Sequence, residues 1–248
     1  MIQLDRPRDI SALFGDSLGV YFRHALVFIA LSAAVVVPVY LVVQGIGLEQ
    51  FTASFDESPA LGETVVPAVV RLLVVAPLIT AICIYALRSV AEGGRPGAGE
   101  SFVSGFEAFT PLFLAVLLAA VGIAVGLALL IIPGIYFGVR WFFVPQTVVL
   151  DGARGTRALS RSGEVVQGFW WRTFGLVIMV NLAALLPGIV LAAPFTAIAS
   201  STDRAVWSMV GTICADSVTT PFVALFSTFL YYDLRARRAG ALPPRTVP

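Results

Sequence analysis

Three ionisable residues sit inside long apolar stretches: Arg71, Arg140 and Asp216. A charge within a membrane helix costs about 2.5–3.5 kcal/mol on insertion scales, so each needs a partner or a task. An acid and a base at similar depth relieve one another, and Asp216 is the one acid available to Arg71 or Arg140. Ser208, Thr212, Asp216 and Thr219 recur every three or four residues. In a helix they share a face, which must point into a bundle because lipid offers no partners. Two kinds of chemistry fit: a substrate or proton site, or a structural ion pair that fixes helix packing. A single acid favours the structural pair, because proton relays string several acids together.

Other catalytic sets are missing from the chain. One histidine, His24, cannot supply the usual zinc hydrolase ligands. Cys83 and Cys214 form no CxxC and imply no disulfide framework. Ser160 and Ser162 lie beside arginines without a base. No P-loop or HExxH motif occurs. The expectation is a non-enzymatic protein without metal or cofactor. Arg154, Arg157, Arg161 and Arg172 cluster around one amphipathic segment. They suit anionic lipid headgroups, and they equally suit a topology signal and nothing more.

Elements that would position these residues can be read from composition. Of 248 residues, 58% are hydrophobic and 12% charged, with a mean hydropathy of +0.91. Soluble domains carry about 25% charged residues, so lipid must cover the outside. A formal charge of +1 gives no reason to expect nucleic acid. Spanning about 30 Å of hydrocarbon takes about 20 apolar residues as a helix. Six runs qualify or nearly do: 25–45, 65–87, 112–132, 135–150, 173–193 and 206–231. The fold class expected is an all-α membrane protein over residues 1–240, with a disordered tail at 241–248. The fourth run is short and contains Arg140.

All sixteen basic residues are arginine. With the N-terminus inside, thirteen fall on inner segments, and the first outer loop is acidic, with Glu49, Asp56, Glu57 and Glu63. The positive-inside rule therefore puts both termini in the cytoplasm, provided the span count is even. Segments Asp9 to Arg23, Ser101 to Phe109 and Arg157 to Phe169 place apolar residues at helical spacing against charged ones. They read as inner interfacial helices. Each precedes a span expected to end near a proline, Pro38, Pro133 or Pro187, in the manner of three degenerate hairpin repeats. Asn181 is expected to bond between helices, Thr220 to satisfy backbone freed by Pro221, and Trp141 to stack on an arginine.

Several stretches resemble a known family. They are Ile132-Pro133-Gly134-Ile135-Tyr136 with Val139-Arg140-Trp141, Leu150-Asp151-Gly152, Gly168-Phe169-Trp170-Trp171-Arg172 and Leu230-Tyr231-Tyr232-Asp233-Leu234-Arg235. The pattern, from Pro111 to Gly240, is similar to uncharacterised bacterial six-helix membrane proteins and to the membrane domain of some glycerophosphoryl diester phosphodiesterases. The resemblance implies the membrane scaffold in a bacterial cytoplasmic membrane. It does not imply the hydrolase, whose soluble catalytic barrel has no counterpart here.

Overall fold

The computed structural model describes residues 4, 6–44, 54, 61–94 and 97–241. Of the acidic loop between the first two spans, Glu49, Asp56 and Glu57 lie outside them and Glu63 is helical; of the tail expected at 241–248, Ala241 is helical and residues 242–248 lie outside them. Every element among the described residues is helical. In chain order they are α1 (Ile10–Arg23), α2 (Ala25–Gln44), α3 (Leu61–Val70), a π-helical turn (Arg71–Val75) and α4 (Ala76–Ala91). After these come α5 (Ala98–Glu107), α6 (Phe109–Leu129), α7 (Ile131–Arg140), α8 (Val144–Asp151), α9 (Thr156–Val166), α10 (Trp170–Thr202) and α11 (Ala205–Ala241).

Five helical stretches are long and apolar enough to cross a membrane: Ala25–Val43, Val65–Ala91, Phe109–Leu129, Trp170–Thr202 and Ala205–Gly240. The expected fourth span, 135–150, is instead two short helices separated at Trp141–Phe143. This leg retraces α6. A Cβ on Gly126 would come 3.1 Å from the Gly134 backbone, and one on Gly122 would come 2.5 Å from the Trp141 ring. Farther along, Val144 and Val148 join Leu112, Ala115, Val116 and Ala119 in one buried cluster. The reversal occurs at Leu130, the one extended residue between α6 and α7 (φ −160°).

The proline turns are corrected at two of three places. Pro133 does lie beside a turn, in the first turn of α7, where its missing N–H would have no helical partner anyway. Pro38 and Pro187 lie inside continuous helices. A helix in lipid tolerates an interior proline when neighbours re-satisfy the freed backbone, so proline alone does not mark a span end there. The fifth span runs on to Thr202 and stops where Asp203 takes the left-handed conformation (φ 51°).

Burial is uneven. The apolar window of α11 is 78% buried and that of α10 only 11%, so α11 is the axis of the bundle and α10 its exposed flank. The three amphipathic segments are helices. α1 lies along α11: Arg8 bonds Asp233 while Tyr21 donates to the Val218 carbonyl at 2.9 Å. Those contacts span fifteen residues of α11, or about 22 Å. Its expected apolar stripe splits. Leu13 and Tyr21 are buried, whereas Ile10 and Phe22 are exposed. On α5 the small residues Ser101 and Gly105 face inward, with Gly105 tight against Ile82. On α9 the buried face is Ala158, Leu159, Ser162, Val165 and Val166.

Candidate functional site

Asp216 is met by two helices. Its Oδ1 lies 2.8 Å from Arg71 Nη2, and its Oδ2 accepts a hydrogen bond from the Tyr40 hydroxyl at 2.8 Å. The Asp216 side chain is 6% exposed and that of Arg71 51%. Local sequence explains how Arg71 gets there. Pro77 has no N–H for the Leu73 carbonyl, and in a regular helix its ring would press on that carbonyl. The backbone widens instead into the π turn Arg71–Val75, closed by the Ala76 N–H to the Arg71 carbonyl. A one-turn π bulge rotates the helix on its N-terminal side relative to the helix on its C-terminal side, and such bulges recur at functional sites. Here it brings Arg71 to α11.

The remaining members of the expected polar site do not join it. Arg140 is held on α7, donating from Nη1 to the Tyr136 hydroxyl at 2.9 Å. Thr212 and Thr219 turn their hydroxyls onto their own helix, at Ser208 and Ala215 carbonyls. Such i−4 bonds satisfy a hydroxyl without any neighbour. Asn181, expected to bridge helices, also bonds within its helix, to the Val177 carbonyl. Among the described residues Thr220 Oγ1 is buried without a partner, so it does not serve the backbone that Pro221 frees. Trp141 stacks on Phe137 (4.7 Å between centroids, 16° between planes) instead of on an arginine. A small apolar cleft of about 160 Å³ opens beside Tyr40, Pro67 and Arg71, without room for a water molecule.

At the opposite end of the bundle two aspartates gather the arginines. Asp233 is fully buried and takes Arg172 at 3.2 Å, Arg237 at 2.9 Å and the Arg8 N–H at 2.6 Å. Arg172 and Arg237 also donate to the Arg8 carbonyl, clamping the N-terminal segment. Asp151 takes the Tyr231 hydroxyl at 2.6 Å, Arg161 at 3.1 Å and Arg235 at 3.2 Å. The hydrogen bonds that Arg161 donates to Glu164 and Asp151 raise its pKa above its ordinary value. Of the four arginines expected at headgroups, Arg161 and Arg172 are thus tied to protein acids. Arg154 and Arg157 are exposed, and among the described residues neither has a carboxylate within 4.0 Å. Near the N-terminus, Asp16 pairs with Arg8 and Arg6 at 2.9 and 3.0 Å. Burial pushes its carboxyl up, but the hydrogen bonds from both arginines outweigh that and hold it below its ordinary range.

The sequence reading missed Tyr40, Asp151, Asp233 and Ser162. Ser162 donates to the Arg140 carbonyl at 2.9 Å and accepts from the Phe143 N–H at 3.2 Å, so α9 bridges the break between α7 and α8. Asp151 and Asp233 did carry a signal, as acids at helix ends otherwise rich in arginine.

A family model described as a domain of unknown function, DUF7847, matches residues 89–234. The chain belongs to that family. The match covers α5 to most of α11, and with them Arg140, Asp151, Asp216 and Asp233, while Tyr40 and Arg71 fall before it. No curated protein and no solved structure matches.

Proposed function

We propose that this DUF7847 protein is a non-enzymatic, six-crossing scaffold of the bacterial cytoplasmic membrane that binds anionic lipid at its inner face. The α7–α8 leg is the sixth crossing, because it returns along the full length of α6. An even count puts both termini on the arginine-rich inner side. The scaffold reading extends to the phosphodiesterase membrane domains that the stretch from Pro111 to Gly240 resembles.

The observation that carries the lipid reading is the pair Arg154 and Arg157, exposed on and beside α9 with no carboxylate among the described residues within 4.0 Å. A basic juxtamembrane segment attracts anionic headgroups by about 1 kcal/mol per arginine. The rival reading, a transporter working through Asp216, needs an accessible carboxylate. Both oxygens of Asp216 are instead taken by Arg71 and Tyr40.

Trp171 is 78% exposed next to this segment and reports on nearby lipid. In nanodiscs mixing brominated phosphatidylglycerol with unlabelled phosphatidylcholine, tryptophan quenching should exceed that with the labels exchanged. Arg154→Gln with Arg157→Gln should remove most of the difference. Equal quenching from the two lipids in the parent protein would reject the lipid reading.

A further inference from the structure

Asn181 is the one asparagine of the chain. It stands exposed on α10, whose apolar window is 11% buried against 28–78% in the other four long helices. Trp170, Trp171 and Arg172 give that end of α10 the aromatic and cationic residues of a membrane surface. Asn181 lies eleven residues beyond Trp170, or about 16 Å along the helix. That is close to the middle of a hydrocarbon core about 30 Å thick.

A polar group at that depth must be satisfied by protein, because lipid offers no partner. Thr196, exposed on the same helix, turns its hydroxyl onto the Ala192 carbonyl and asks for nothing more. An amide is harder to satisfy, with two N–H donors and a carbonyl oxygen. Asn181 uses one donor, from Nδ2 to the Val177 carbonyl at 2.7 Å. Among the described residues its second N–H has no acceptor and its Oδ1 no donor.

The surface around the amide is apolar and helical in period. Ile178, Asn181, Leu185 and Ile189 stand at i, i+3, i+7 and i+11, which is one stripe of a helix. The three aliphatic residues are 43%, 53% and 55% exposed. Two helices pack along a seam of this spacing, and a polar residue within the seam fixes their register. Two copies inserted in the same sense are related by a two-fold axis along the membrane normal, so identical residues meet at identical depth. Asn181 then faces Asn181 of the partner subunit. An amide is its own complement, since each spare N–H can donate to the other Oδ1. A different protein would have to bring its own polar group to that depth.

We propose that α10 forms the interface of a parallel homodimer in which Asn181 bonds Asn181 of the partner subunit. The inference rests on α10 crossing the membrane, and on neither the sixth crossing nor the inner-face lipid. With no lysine in the chain, amine-reactive dyes label its N-terminus alone. Donor- and acceptor-labelled full chains in phosphatidylcholine liposomes, diluted stepwise with lipid, should show energy transfer that follows a monomer–dimer equilibrium. Asn181→Leu, whose side chain suits lipid, should weaken association at least tenfold. A Cys214→Ser background leaves only the buried Cys83. On it, Leu185→Cys should give a disulfide-linked dimer when cell membranes are oxidised, and Val190→Cys, about 140° away around α10, should not. Undiminished association of Asn181→Leu would overturn the proposal, as would cross-linking through Val190→Cys in preference to Leu185→Cys. Transfer no greater than random collisions give would also overturn it, and would leave the face to another protein. Phosphatidylcholine bears no net charge, so failure of the inner-face lipid reading would leave these results unchanged.

Discussion

Removal of the Asp216 charge is the sharpest test of how the helices are held together. Asp216→Asn keeps the shape and loses the charge that neutralises Arg71 at 2.8 Å. Breaking a buried ion pair from one side costs about 3–5 kcal/mol, because the other charge is stranded. Arg71 is 51% exposed, so it recovers part of this by turning outward, and about 2 kcal/mol is the expected loss. For a chain of 248 residues that lowers the unfolding midpoint by about 4–8 °C. Arg71→Gln should lose more, since it strands a carboxylate that is 6% exposed and keeps only the Tyr40 hydroxyl at 2.8 Å. The double variant should be no worse than Asp216→Asn alone, which amounts to a coupling of at least about 1 kcal/mol. Thermal unfolding in one detergent, read by near-ultraviolet circular dichroism, measures all three. Strictly additive shifts, or a shift under 1 °C for Asp216→Asn, would refute the view that this pair joins α11 to the π turn.

Glycines of α7 offer a contrast on a single helix. A Cβ at Gly134 would lie 2.4 Å from the Leu127 side chain and 2.8 Å from its backbone, whereas Gly138 has nothing within 4 Å. Gly134→Ala should therefore lower stability by about 1–3 kcal/mol, and Gly138→Ala should be neutral or raise it by about 0.5 kcal/mol; thermal midpoints decide. Asp233→Asn should loosen the N-terminal clamp and speed tryptic cleavage after Arg8 at least tenfold, read by mass spectrometry of the released peptide. Asp16 sets a pH dependence. Its folded-state pKa lies below the ordinary carboxylate value of about 4. Its stabilising effect is present above that ordinary value and is lost as pH falls through the depressed one. The gap in cleavage rate between parent and Asp16→Asn should be full at pH 6 and close below about pH 4, measured with an acid-tolerant protease.

The features legible in the sequence were those that depend on composition and local period. Five spans fall where apolar runs do, and the amphipathic segments at 9–23, 101–109 and 157–169 overlap α1, α5 and α9. The pairing of Asp216 was legible as well, because an acid in a span needs a base and only two were available. The choice of Arg71 over Arg140 was not, since it depends on a π turn set by Pro77, and helical spacing assumes 3.6 residues per turn throughout. Tyr40 looks like any aromatic in an apolar run until α2 is laid against α11. Prolines misled for a related reason. The residues around Pro133 and Pro187 match, yet one lies at a turn and the other inside a 33-residue helix. The difference lies in Leu130, which no local signal distinguishes from Ala184.

In lipid, apolar burial does little to hold helix against helix, so association rests on close packing and polar ties. The polar ties of this bundle converge on α11. Asp216 draws in α2 and the π turn, and Asp233 draws in the N-terminal segment and α10. Tyr231 and Arg235 bring in Asp151 at the end of α8. Asp216 and Asp233 are seventeen residues apart, or about 26 Å along the helix. That is most of the thickness of a hydrocarbon core. A helix tied at two levels so far apart can neither slide nor tilt against its neighbours without breaking an ion pair. α10 is tied near one end by Arg172 and follows α11 toward the other, where a Cβ on Gly211 would lie 2.9 Å from Phe195, so the two helices move as a pair.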